Sequence, residues 1–155
     1  LPVRWTTPIG YPVKQDYRKY RSRSIKTKIG DTVRQHKIRE ETDKIDSRKM
    51  VNGLAPNWVH SVDAALMFKT VLKAKHCGVK SFAVVHDSFA TVAADAEALS
   101  LSIREAAAEI FSRDLLAEFK AEVEAFLPPG VVLPEIPEYG DLDPACVRDS
   151  LYFFN

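Results

Sequence analysis

The stretch that most constrains the fold is Ser81-Phe82-Ala83-Val84-Val85-His86-Asp87-Ser88-Phe89-Ala90-Thr91. An apolar strand-like run meets a His-Asp pair and a second strand-like run follows at once, so the segment reads as a tight antiparallel hairpin. A carboxylate at the tip of a buried hairpin is costly unless something positive meets it. Asp87 is therefore a candidate metal ligand, and the pattern points to metal-assisted chemistry. A plainer reading stands beside it, in which Asp87 is a turn residue that hydrogen-bonds its own backbone.

The chain has 155 residues and a net charge of +1, enough for one compact domain or a large piece of a bigger protein. The near-neutral total hides an asymmetry. Residues 1–50 carry 14 Lys/Arg against 6 Asp/Glu, a net of +8, whereas residues 51–155 carry 8 against 15, a net of −7. A basic arm ahead of an acidic body favours contact with a polyanion, although a solvated basic face has the same composition. Cys77 and Cys146 are too far apart in sequence for a zinc pattern or a disulfide framework, which fits a reducing compartment. No apolar run is long enough to span a bilayer, and no signal peptide is visible. The chain does not begin with Met, so a piece of a longer protein or a processed product is expected.

The pattern divides the chain into a basic arm over 1–50, a body over 51–127 and a Pro-rich connector with a terminal segment over 128–155. In the arm, Thr7-Pro8-Ile9-Gly10 reads as a turn between two short extended pieces. Ile25, Ile29, Val33 and Ile38 alternate with charges around Gly30-Asp31, which reads as an exposed hairpin. Its polar positions hold Arg23, Lys26, Lys28, Arg34, Lys37 and Arg39, a set suited either to phosphates or to guarding a sheet edge. In the body, a helix is expected from Pro56 at its first turn to a glycine stop at Gly78. His60, Asp63 and Met67 share one of its faces. Two further helices carry apolar stripes through Leu99, Ile103, Ala107 and Ile110, and through Leu115, Phe119 and Val123, with Asp95 and Asp114 as caps. Asp143-Pro144 starts one more short helix.

Local hydrolase chemistry is excluded on geometry. His86, Asp87 and Ser88 are consecutive and cannot converge as a triad, and His60, Ser61 and Asp63 fail for the same reason. His60 and His86 lack an obvious third partner for a transition-metal site. Gly53-Leu54-Ala55-Pro56 is not a phosphate-cradling loop.

The run Gly53-Leu54-Ala55-Pro56-Asn57-Trp58-Val59-His60-Ser61-Val62-Asp63 resembles the G-x-x-P-N-aromatic-V/I-H-S-x-D segment of single-subunit RNA polymerases of the bacteriophage and mitochondrial type. The run Phe82 to Phe89 resembles that family's H-D-S/C-aromatic hairpin, and Tyr152-Phe153-Phe154-Asn155 is similar to its aromatic terminus. A weaker similarity extends through Ile45-Asp46 and Lys49 to the start of the chain. The resemblance implies an α+β fold: a polymerase palm-type hairpin packed with several helices, plus the basic N-terminal β-ribbon. It implies that Asp87 is a catalytic carboxylate that helps hold two Mg²⁺ ions. His86 lies beside the growing RNA end, and His60 reaches the minor-groove side of the RNA–DNA hybrid. Asn57 and Ser61 belong to the same nucleic-acid-binding segment, and the last residues form a foot that reaches back to the active site. The implied partners are DNA template, RNA transcript, ribonucleoside triphosphates and the rest of the polymerase, with no membrane. The implied location is the cytoplasm of a phage-infected bacterium or the mitochondrial matrix.

Two departures qualify the resemblance. Ala90 stands where phage relatives often carry Gly, and the chain ends in Asn155. The family's first catalytic Asp and its nucleotide-selecting Lys and Tyr have no match here, so this chain by itself is expected to be inactive. The alternatives are a DNA polymerase palm of the bacterial type, which usually has Glu where Ser88 stands, and a non-catalytic nucleic-acid-binding module.

Overall fold

The computed structural model describes residues 2–153. The described residues form an α+β chain with three separate two-stranded antiparallel sheets and three α-helices. They divide into two compact units, Leu1–Val3 with Lys14–Pro56, and Arg4–Val13 with Asn57–Asn155.

The first unit is dominated by a long ribbon, β3 (Arg18–Ile29) and β4 (Thr32–Ile45). Ile29 pairs with Thr32, so Gly30-Asp31 is a two-residue turn, and Gly30 takes φ +58° without a steric penalty. The strands are longer than the alternation over 23–39 indicates. Cross-strand partners share a face, and the ribbon's cations fall on both. Lys26, Lys28, Lys37 and Arg39 sit on one face with Ser22, Ser24 and Gln35, while Arg21, Arg23 and Arg34 share the other with Ile25, Ile29 and Ile38. Glu40 pairs with Arg21 at 3.3 Å and with Arg23 at 4.0 Å. Lys26, Lys28, Lys37 and Arg39 make no ion pair among the described residues. The six cations expected at the hairpin's polar positions are thus divided by the pleat between a lysine-rich face and a face that mixes arginine with isoleucine.

Helix α1 (Ser47–His76) begins nine residues before Pro56, not at it. Asp46 accounts for the earlier start, because its Oδ1 accepts from the Lys49 N–H at 3.2 Å at the helix entrance. Pro56 lies inside the helix and cannot donate to the carbonyl of Asn52 four residues earlier, a local cost that the rest of a 30-residue helix outweighs. The glycine stop forms in full. Gly78 takes φ +92° and donates to Lys75 O at 3.1 Å, and Val79 N–H donates to Ala74 O at 3.0 Å. That pair of bonds and the burial of both Ala74 and Val79 make a Schellman termination.

The short strands β1 (Val3–Thr6) and β2 (Pro12–Gln15) flank the expected turn, closed by Gly10 N–H to Thr7 O at 2.8 Å. Trp5 is buried against Phe119 at 6.0 Å and donates from Nε1 to Ser61 Oγ at 2.8 Å. Helices α2 (Ala96–Phe111) and α3 (Leu115–Glu124) follow. Asp114 caps α3, accepting from Ala117 N–H at 2.9 Å, and the Tyr139 hydroxyl donates to the same oxygen at 2.7 Å. Both bonds hold the Asp114 carboxyl below the ordinary carboxylate range, the backbone bond first. Asp95 occupies the N-cap position of α2 but makes no side-chain cap bond, because a 3-10 turn over Ala93–Asp95 already supplies the helix entrance.

Two buried clusters hold the second unit together. One joins Val62, Ala65 and Leu66 of α1 to Ala106, Ala107 and Ile110 of α2. The other joins Ala74 and Val79 to Leu99 and Ile103. The small residues Ala74, Ala106, Ala107 and Ala108 are fully or almost fully buried, which lets the backbones approach closely. The last described segment includes a 3-10 turn over Pro144–Arg148, with Asp143 as its cap and Pro144 at its first position. No helix among the described residues is long and apolar enough to cross a membrane.

Candidate functional site

The short hairpin β5 (Ala83–Val85) and β6 (Ser88–Ala90) places His86 and Asp87 at the two central positions of its turn, with Val85 paired to Ser88. At its base the Thr91 hydroxyl donates to Ser81 O at 2.7 Å. One side is backed by protein, since Phe82 and Phe89 pack on the Leu99–Ile103 cluster. The tip itself is open, which corrects the expectation of a buried hairpin. His86 and Asp87 are exposed, and Val85 is 68% exposed. Strands of three residues offer only one side to the core, so the alternate residues face outward.

The turn carries an unusual backbone. His86 has φ +53° and is the one non-glycine residue with positive φ among the described residues. A side chain there costs on the order of 1–2 kcal/mol, and such outliers cluster at functional positions. Among the described residues no hydrogen bond or ion pair engages the Asp87 carboxylate. The plainer reading, a turn Asp bonded to its own backbone, is not what forms. Beside the hairpin, α2 forms the other wall of a cleft of about 470 Å³, lined by Asp87, Phe89, Thr91, Leu99, Ser100 and Ile103. The Asp87 carboxylate stands at its rim with both oxygens uncommitted. Leu99 and Ile103, which belong to the apolar stripe of α2, also floor this cleft.

The other candidates are spread along α1. His60 is exposed and Asn57 is half-buried. Ser61 faces inward, where its hydroxyl accepts from Trp5 Nε1 at 2.8 Å and donates to Trp58 O at 2.7 Å. Its hydrogen-bonding capacity is largely used in fixing the aromatic trio Trp5, Trp58 and Phe119. Nothing in the sequence links position 5 to position 61, so this lock was not legible. Among the described residues no group of three His, Cys, Asp or Glu side chains converges for a metal ion. Of the terminal tail, Tyr152 is 81% exposed and Phe153 packs against both buried clusters. Phe154 and Asn155 lie outside the described residues.

The first unit holds a second feature. At the base of the ribbon Lys19, Tyr20, Ser22, Arg39, Asp46 and Lys49 line a groove of about 390 Å³, with Lys49 Nζ 5.8 Å from the centre of the Tyr20 ring.

The family described as DNA-dependent RNA polymerase matches residues 1–132. The chain belongs to that family, in its phage and mitochondrial single-subunit branch. A DNA-directed RNA polymerase 2, chloroplastic/mitochondrial, of Arabidopsis thaliana is 40% identical over 153 residues, which cover 99% of this chain and 14% of that relative. DNA-directed RNA polymerase 1, mitochondrial, of Nicotiana sylvestris is 38% identical, covering 99% of this chain and 15% of the relative. DNA-directed RNA polymerase 1A of Nicotiana tabacum is 38% identical over 154 residues, covering 99% of this chain and 96% of the relative. Against the Arabidopsis and Nicotiana sylvestris polymerases, this chain spans only about 14–15% of their length. The RNA polymerase match runs through the ribbon, α1, the Asp87 hairpin and both later helices.

Proposed function

We propose that this chain supplies the Asp87 hairpin of a template-directed RNA polymerase centre, in which ribonucleotides are added to an RNA 3′ end. The observation that carries the reading is the exposed, uncommitted Asp87 carboxylate on a strained two-residue turn, in a chain of this family. In the reaction the RNA 3′-oxygen bonds to the α-phosphorus of the incoming triphosphate. The bond to the departing pyrophosphate breaks, and the hydroxyl proton leaves.

Asp87 fits Mg²⁺ as a hard oxygen donor held by a stiff turn. Among the described residues no group of three or more His, Cys, Asp or Glu side chains converges for a metal ion, so in this reading the remaining ligands come from elsewhere in the polymerase. When bound, Mg²⁺ supplies activation of the attacking oxygen and charge neutralisation at the phosphates. The protein's own part is positional. Phe82 and Phe89 anchor the hairpin, and the turn presents Asp87 at the cleft rim. His86 stands beside the growing end, and exposed His60 with Asn57 addresses the hybrid's minor groove. Ser61 contributes through the packing of the helix. In this reading the hairpin is part of a palm, and the lysine-rich ribbon face meets nucleic-acid phosphates. The names of the relatives favour an organelle, so the mitochondrial matrix fits better than the cytoplasm of a phage-infected bacterium.

Asp87→Asn in the complete polymerase tests the proposal. Nucleotide addition is expected to fall by about three orders of magnitude with template binding retained. Near-normal extension would overturn it. The 155-residue chain alone is expected to show no template-directed extension, because no group of three metal-ligating side chains forms among its described residues.

A further inference from the structure

Arg104 is a half-buried cation in the middle of α2, and it is committed to the terminal segment rather than to a carboxylate. Its Nη1 donates to Val147 O at 2.8 Å and also to Ser150 O. Its guanidinium lies 5.9 Å from the centre of the Phe153 ring. One side chain therefore ties off two carbonyls around the end of the 3-10 turn and backs an aromatic ring. These bonds are charge-assisted and therefore stronger than neutral ones. The neighbouring Glu105 has a different partner, a two-pronged pair with exposed Arg148 at 2.9 and 3.3 Å.

The ring that Arg104 holds does not end at the tail. Phe153 packs on the cluster of Ala74, Val79, Leu99 and Ile103, and Phe82 and Phe89 of the Asp87 hairpin pack on that same cluster. Leu99 and Ile103 are also the floor of the cleft at whose rim Asp87 stands. The hairpin has only three residues in each strand and no other sheet partner among the described residues. A two-stranded hairpin of that size is marginal alone and takes its pitch from what lies beneath it. Interior packing transmits displacement because it leaves no slack.

We infer that Arg104 is a positioning residue for the Asp87 turn: it fixes Phe153 on the Leu99–Ile103 cluster, and that cluster sets the pitch of the hairpin. The inference rests on the proposed catalytic role of Asp87 for its effect on rate, and on packing alone for its effect on the turn.

Two arms separate these. In the 155-residue chain, backbone NMR resonances of Asp87, Ser88 and Phe89 are followed in Arg104→Met, which keeps the aliphatic stem, and in Arg148→Met, which breaks only the exposed pair with Glu105. Phe153→Leu is the second route to the same loosening, should Arg104→Met fold poorly. The hairpin resonances are expected to shift in Arg104→Met and Phe153→Leu and to hold still in Arg148→Met. In the complete polymerase, Arg104→Met is expected to lower the rate constant for nucleotide addition about 10–100-fold, the scale of a small misplacement of a reacting group. The KM for nucleotide should stay within about twofold, and Arg104→Lys should recover part of the rate. Movement of the resonances of 147–153 alone, with the hairpin and the rate unchanged, would overturn the inference and leave Arg104 as a tail anchor only. If Asp87→Asn itself keeps normal activity, the functional reading fails and the NMR arm still decides the coupling.

Discussion

Two turns in this chain are built to one plan and differ in what occupies the first position. Gly30-Asp31 closes the long ribbon and His86-Asp87 closes the short hairpin, each as a two-residue loop with a left-handed first residue. Gly30 reaches φ +58° freely, while His86 is held at +53° against a steric cost. The glycine turn ends an exposed ribbon whose tip residues Ile29 and Val33 are 76% and 59% exposed. The histidine turn rests on a buried cluster and borders a cleft. Strain is tolerated where packing underneath over-determines the conformation, and that is also where an uncommitted carboxylate is presented. The same dipeptide geometry is a plain connector in one region and a candidate reactive edge in the other.

The largest effect that would break this contrast is a loss of support. Ile103→Ala, under the hairpin and 5% exposed, is expected to cost about 2–4 kcal/mol in denaturant unfolding. Ile29→Ala, at the ribbon tip, should stay within about 0.5 kcal/mol. Equal costs would mean that the ribbon is supported as firmly as the hairpin.

Turn exchange comes next in size. Gly30→Ala should cost about 1 kcal/mol from backbone strain alone, since an added Cβ meets nothing within 4 Å. His86→Gly relieves a similar strain but gives the unfolded chain more freedom, so a net gain of roughly a few tenths of a kcal/mol is expected. A clear loss of stability in His86→Gly would show that the histidine side chain stabilises its own turn.

Much of this was legible in the sequence because it is local. Gly30-Asp31 between alternating runs, the stop at Gly78 and the caps at Asp114 and Asp143 are short-range signals with one physical solution each. The His-Asp turn was legible for the same reason. The start of α1 was misplaced because Pro56 resembles a first-turn proline, whereas the cap that forms is Asp46, ten residues earlier. The exposure of the hairpin tip was missed because an apolar run does not say which of its sides is covered. Trp5 meeting Ser61, and Arg104 meeting Val147, depend on pairings 56 and 43 residues apart that no periodicity encodes.

The smallest expected effect concerns pH and the helix scaffold beneath the hairpin. Lys69 at 2.7 Å and Lys73 at 2.6 Å hold the Glu109 carboxyl below its ordinary value of 4.5. A depressed folded-state value adds stability above the unfolded pKa, and that increment is lost as pH falls through the folded value. Glu109 is 39% exposed, so solvent screens the pair and the increment is small. Melting curves of the parent and Glu109→Gln should therefore differ slightly at pH 7 and converge well below pH 4.5. A difference that grew on acidification would contradict the assignment.

The central claim is that the His86-Asp87 turn, and not its Gly30-Asp31 counterpart, sits against the catalytic metal. Replacing Mg²⁺ by Fe²⁺ in the complete polymerase and adding peroxide generates hydroxyl radicals at the bound metal, which cut the nearby backbone. The account predicts cuts within residues 85–89 that excess Mg²⁺ suppresses and Asp87→Asn abolishes, with none at residues 30–31. A cutting pattern that spares the Asp87 turn, or that survives Asp87→Asn unchanged, would contradict it.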